Sequence, residues 1–69
     1  MTVAIVLNGE PAEVEAGITL AAFLENLGID RRRVVVEHNR RVLRGAELEA
    51  ATVARGDELE VLQLVGGGA

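Results

Sequence analysis

The chain closes on Leu62-Gln63-Leu64-Val65-Gly66-Gly67-Gly68-Ala69, an apolar, strand-like run followed by bare glycine. Nothing in such a tail can pack, cap or turn back onto a core. Ordering three successive glycines is entropically expensive. Two uses remain: an unstructured end, or a side-chain-free strip of backbone that enters something narrow. Elsewhere the chain offers little reactive chemistry. It has one histidine, His38, and neither cysteine nor serine, so no nucleophile–base pair can be assembled. Without cysteine no thiolate metal site is possible, and a single histidine cannot make a histidine-rich one. All seven cations are arginines, so the only amine open to an activated acyl group is the N-terminal one.

The charged groups read first as solvated surface. Glu13/Glu15 and Glu58/Glu60 alternate along strands, as exposed faces or as an acidic patch that meets a partner. Asp30-Arg31-Arg32-Arg33 reads as a solvated connector, with a partner contact as the other possibility. A net charge of −4 argues against nucleic acid, which needs clustered cations. A lone aromatic, Phe23, leaves no base-stacking platform. A partner with a basic surface is favoured instead, mainly through association rate. No apolar run approaches the roughly 18 residues of a membrane span, and no secretory leader is recognisable. A soluble, cytoplasmic protein is expected.

These residues need a body to hold them. Sixty-nine residues allow one small core, and 49% hydrophobic content with a mean hydropathy of +0.27 is that of a globular chain. Thr2 to Leu7 is apolar and β-branched, and Asn8-Gly9 is a strong hairpin signal. Glu10 to Ala16 alternates as a half-buried second strand, where Pro11 suits a strand start or an edge. Thr19 is placed to cap a helix from Leu20 to Leu27, with Leu20, Phe23, Leu24 and Leu27 on one apolar face. Gly28 stands where a C-terminal glycine cap belongs. Val34 to His38 is a third strand, and its run of valines suggests a central strand covered on both faces. Arg41 to Leu43 returns as a short strand, and Gly45 to Val53 holds a short helical or 3₁₀ turn. Glu58 to Val65 is the last strand. Its apolar parity shifts after Val61, which puts Leu62, Leu64 and Val65 on the opposite face as a partner surface. A bulge that returns them to the core is the alternative. The expected domain is 1–65, with a flexible glycine tail over 66–69.

This order of elements resembles the ThiS family of thiamine-biosynthesis sulfur carriers, small proteins of the ubiquitin-like β-grasp fold. The resemblance rests on Leu7-Asn8-Gly9-Glu10, Gly17-Ile18-Thr19-Leu20 and Val34-Val35-Val36-Glu37-His38-Asn39. It continues through Arg55-Gly56-Asp57 before Glu58-Leu59-Glu60-Val61, and Leu64-Val65-Gly66-Gly67-Gly68. It implies an α+β fold: a mixed four- to five-stranded sheet, one main helix on one face, and the last strand parallel to the first. It also implies a carrier rather than an enzyme. A ThiF-like adenylyltransferase would spend ATP to adenylate the terminal glycine carboxylate. A sulfur donor protein would convert the acyl-adenylate to a thiocarboxylate, and a ThiG-like thiazole synthase would take the sulfur. No cofactor is expected to stay bound. Family sequences end on glycine, so loss of Ala69 would make Gly68 the acyl site, with Gly66, Gly67 and Gly68 threading the partner's active site. Related readings are a thiocarboxylate carrier for molybdopterin, cysteine or tRNA thiolation, or a ubiquitin-like modifier or interaction module.

Overall fold

In a computed structural model, which describes residues 1–64, the chain begins with strand β1 (Thr2–Leu7) and turns on two residues into β2 (Glu10–Glu15). Asn8 and Gly9 both hold positive φ, 52° and 82°, as a two-residue hairpin matching the strand twist requires. The pair is antiparallel and in register from Thr2 opposite Glu15 to Leu7 opposite Glu10.

Helix α1 (Leu20–Asn26) starts where the Thr19 hydroxyl accepts the Ala22 N–H at 3.1 Å. It stops through a glycine cap. Gly28 takes φ +76°, its N–H reaches the Glu25 carbonyl at 3.0 Å, and the Ile29 N–H reaches that of Leu24 at 2.9 Å. This double return satisfies carbonyls that the helix end would otherwise orphan. It also corrects the expected core face. Leu20, Phe23 and Leu24 are buried, but Leu27 is the capping residue and is 48% exposed. The chain turns back one step later, so Ile29 packs on the core instead.

The charged connector is more ordered than expected. Arg31–Arg33 forms a 3₁₀ turn whose first N–H groups are capped by Asp30, which accepts the Arg32 N–H at 3.0 Å. The Arg32 side chain and backbone hold the Asp30 carboxyl down at about 2. Arg31 reaches across to Glu49 at 2.6 Å.

Next come β3 (Val34–His38), β4 (Arg41–Leu43), the single-turn helix α2 (Glu47–Ala50) and β5 (Glu58–Gln63). The sheet order is β2-β1-β5-β3-β4, with β1 and β5 parallel and the other neighbours antiparallel. The last strand is therefore the middle one. β2 is an edge, as Pro11 anticipates. β3 is interior, but it is covered on one face only: Val34 and Val36 are buried and Val35 is half-buried. Alternation places Val35 on the face away from the helices.

The core lies between that sheet and α1 with α2. Leu20, Leu24, Leu48, Val36 and Val53 are almost fully enclosed, and each such leucine contributes roughly 1.5–3 kcal/mol by leaving water. The α2 segment is stitched to the start of α1 by Leu20 N–H to Ala51 carbonyl (3.0 Å) and Val53 N–H to Ile18 carbonyl (2.9 Å). No helix among the described residues is long and apolar enough to cross a membrane.

Candidate functional site: the strand that leads to the glycine tail

β5 carries the chain from the middle of the sheet to the tail, and β3 pairs with it from Leu59 to Gln63. Against β3 it runs from Leu59 opposite His38 to Gln63 opposite Val34, without a bulge. The ladder continues one residue further, where the Leu64 N–H donates to the Arg33 carbonyl at 2.8 Å. The strand is thus held up to the last residue before Val65.

Both flanking turns contribute an asparagine. Asn8, after β1, accepts the Val61 N–H on its Oδ1 at 2.9 Å and donates its own N–H to the Leu59 carbonyl at 2.8 Å. Asn39, after β3, accepts the Glu58 N–H on Oδ1 at 2.8 Å and donates its N–H to the Glu58 carbonyl at 2.9 Å. Each sits at φ 52°, a left-handed conformation that asparagine tolerates better than most residues.

A third anchor lies at the entry to β5. The Asp57 carboxylate accepts the Ala54 N–H at 2.8 Å and the Asn39 side-chain amide at 3.1 Å, and its Oδ2 lies 2.8 Å from His38 Nε2. His38 and Asp57 are largely enclosed, with side chains 18% and 12% exposed. Burial alone would push the Asp57 carboxyl up. The bonds from His38, the Ala54 N–H and Asn39 outweigh it and leave the carboxyl below its ordinary value. His38 is the last residue of β3 and part of a structural clamp. Among the described residues no group of three or more His, Cys, Asp or Glu side chains is arranged to hold a metal ion.

The expected partner surface divides as follows. Leu62 is 42% exposed on the helix-free face, opposite Val35. Leu64 is 47% exposed and lines a shallow depression with Arg31, Arg32, Arg44 and Ala46. The unbroken register excludes the bulge that would have returned Leu62 to the core. Val65, Gly66, Gly67, Gly68 and Ala69 lie outside the described residues. Arg31, Arg32 and Arg44 line the depression near Leu64 together with Glu49, the partner of Arg31, while Glu37 stands directly opposite Glu60 on the open face. Sequence reasoning did not single out Asn8, Asn39 or Asp57 as β5 anchors. Their only signals were the turn pairs Asn8-Gly9, Asn39-Arg40 and Gly56-Asp57.

Comparison with known proteins agrees with this architecture. The sulfur carrier protein ThiS of Thermus thermophilus is 39% identical over 62 residues, covering 90% of this chain and 95% of that protein. Thiazole synthases of Paramagnetospirillum magneticum and Magnetococcus marinus are 38% and 41% identical over 64 and 62 residues. Those matches take in 93% and 90% of this chain, which spans only 20% and 19% of the two synthases. The crystal structure of the thiamine biosynthesis protein ThiS from Geobacter metallireducens superposes with a TM-score of 0.81 at 32% identity, covering 94% of this chain and 99% of that one. The sheet with its helix is thus the ubiquitin-like β-grasp seen in that neighbour. The ThiS family model matches residues 5–68, from β1 through the last glycine, and the chain belongs to the ThiS family.

Proposed function

We propose that this chain is a sulfur carrier of thiamine biosynthesis, a handle whose terminal glycine other proteins activate and unload. The supporting observation is the strand leading to the tail: β5 is paired up to Leu64, and four residues, Val65 to Gly68, follow. Four extended residues reach roughly 13 to 14 Å. That is enough to bring a carboxyl into a recessed active site while the folded body stays outside. Glycines suit the passage, since they present no side chain and adopt φ values closed to other residues.

With Ala69 removed, Gly68 holds the free carboxylate. A carboxylate is a poor electrophile. A ThiF-like adenylyltransferase joins it to the α-phosphate of ATP and releases pyrophosphate, which makes AMP the leaving group. Sulfide (HS⁻) delivered by a donor protein then attacks the acyl carbon, expels AMP and leaves a thiocarboxylate. A thiazole synthase takes that sulfur into the thiazole ring. The carrier supplies no catalytic group, binds no cofactor, and offers Leu62, Leu64 and Val65 as the contact beside the tail.

The test is intact mass spectrometry of forms ending at Gly68 and at Ala69, incubated with ATP, a ThiF-like enzyme and a sulfur donor. The form ending at Gly68 should pass through an acyl-adenylate to a product in which one oxygen is replaced by sulfur. If neither form is adenylated, the carrier reading is wrong.

A further inference from the structure

Alternation along β5 shows what lies on its other side. The Leu64 N–H faces β3, and the Val61 N–H faces Asn8. The backbone of Gln63 therefore faces the Asn8 side, as does the Val61 carbonyl. β1 accompanies β5 only as far as Leu7 opposite Leu59, and Asn8 then turns away into β2. Among the described residues, none pairs with the Gln63 N–H, the Gln63 carbonyl or the Val61 carbonyl on that side. A central strand thus becomes a free edge for its last turn of pleat, just before the tail.

The edge opens onto a cleft of about 410 Å³ whose apolar walls are Leu7, Leu27, Ile29 and Val61, with Asp30 and Arg33 at the rim. Leu27 is the half-exposed capping residue that left the core face. An edge with unpaired N–H and C=O groups is a template for an added strand, and a flanking pocket selects its side chain.

We propose that the thiazole synthase partner lays an extended segment along Val61–Gln63 of β5, with an apolar side chain in the Leu7/Leu27/Ile29/Val61 cleft. The inference rests on the sulfur-carrier reading. The choice of occupant comes from the two thiazole synthases in which a stretch like this chain makes up about a fifth of one polypeptide, so body and synthase stay together there. The edge is also continuous with the tail. Past Leu64 the chain offers a partner mainly glycine backbone, and a strand paired from Val61 onward can hydrogen-bond that backbone without needing side chains to read.

The experiment uses the full chain and the thiazole synthase of the same organism. Amide exchange of the labelled chain is followed by NMR with and without synthase, and binding is measured for wild type, Gln63→Pro and Leu27→Glu. Proline at 63 removes an N–H that bonds no described residue, which a strand tolerates, and Leu27 lies outside the core. Both variants should melt within about 4 °C of wild type. Exchange at Gln63 should slow at least tenfold on binding, and each variant should bind about tenfold more weakly. Binding without slower exchange at Gln63 overturns the strand pairing, as do variants that bind like wild type. Slowing that follows the chain's own concentration, without synthase, indicates self-pairing and overturns it too. A chain that acquires the thiocarboxylate yet does not bind the synthase loses this inference and keeps its carrier chemistry; one that is never adenylated loses the carrier reading itself.

Discussion

Replacing Asp57 by alanine should cost this small protein a large part of its stability. The carboxylate accepts hydrogen bonds from the Ala54 N–H and the Asn39 amide and pairs with the His38 ring, two of the three at 2.8 Å. The part-buried bond to His38 is worth about 1 to 1.5 kcal/mol and the exposed bonds from Ala54 and Asn39 about 0.5 each, giving a loss of about 2 to 2.5 kcal/mol. A chain of this length has a total stability of only about 3 to 10 kcal/mol. At roughly 4 to 8 °C per kcal/mol for a domain this size, the melting temperature should fall by about 8 to 20 °C. The drop should be global, because Asp57 anchors the entry to β5 and β5 is the middle strand. Circular dichroism melts at neutral pH measure it. A fall under about 4 °C would refute the clamp, since solvent would then be satisfying the three donors equally well.

The pH dependence gives a second reading of the same group. The folded Asp57 carboxyl sits below its ordinary value of 3.8. Its contribution is therefore complete above that ordinary value and is lost as pH falls through the lower folded one. The gap between wild type and Asp57→Ala should stay constant from neutral pH down to the ordinary carboxylate range and close only below it. A gap that closes nearer neutrality would assign the stability to a different titrating group.

Asn8→Gly should lose about 1 kcal/mol, the bond to the Val61 N–H, while Asn8→Ala should lose about 2 because it also strains a residue at positive φ; paired thermal melts in which alanine is the milder change would contradict that partition. Leu62→Glu and Leu64→Glu should each weaken binding to the activating enzyme at least tenfold while shifting the melting temperature by only a few degrees, roughly the effect of a surface change. A large loss of melting temperature instead would make these side chains part of the core.

Local structure was legible wherever local chemistry decides it. The alternation in Glu10–Glu15, the 3.6 period in Leu20–Leu24, Asn8-Gly9 and Gly28 each fix a conformation from a few neighbouring residues, and each appears where expected. Leu27 was misplaced because the apolar period runs one residue past the point where the glycine cap turns the chain. The full cover expected for Val34–Val36 failed for a related reason. Consecutive valines report β propensity as well as burial, and here Val35 faces away from the helices. Periodicity carries no strand order. Only the parallel pairing of the last strand with the first came through resemblance; the antiparallel pairing of β5 with β3, and the contacts that depend on it, came from the structure. His38 and Asp57 are 19 residues apart, and Asn8 and Val61 are 53 apart. No local signal joins either pair until β5 lies between its neighbours.

That placement explains why a tail-bearing chain would run its last strand through the middle of the sheet. Under the proposed function the tail enters another protein's active site, and any pull on it is transmitted to the strand it grows from. An edge strand could peel away one hydrogen bond at a time. β5 is held by β3 along one side and by β1 and Asn8 on the other, so tension along its axis loads those bonds together in shear. Asn8 and Asn39 grip opposite sides of β5, and Asp57 fixes its start. The free stretch at Gln63 lies beyond these grips, where the proposed partner strand would pair with the backbone. Removing Asn8, Asn39 or Asp57 should therefore act on delivery of the terminal carboxyl through the anchoring of β5, while Leu27 and Leu62 act on partner affinity without loosening the strand.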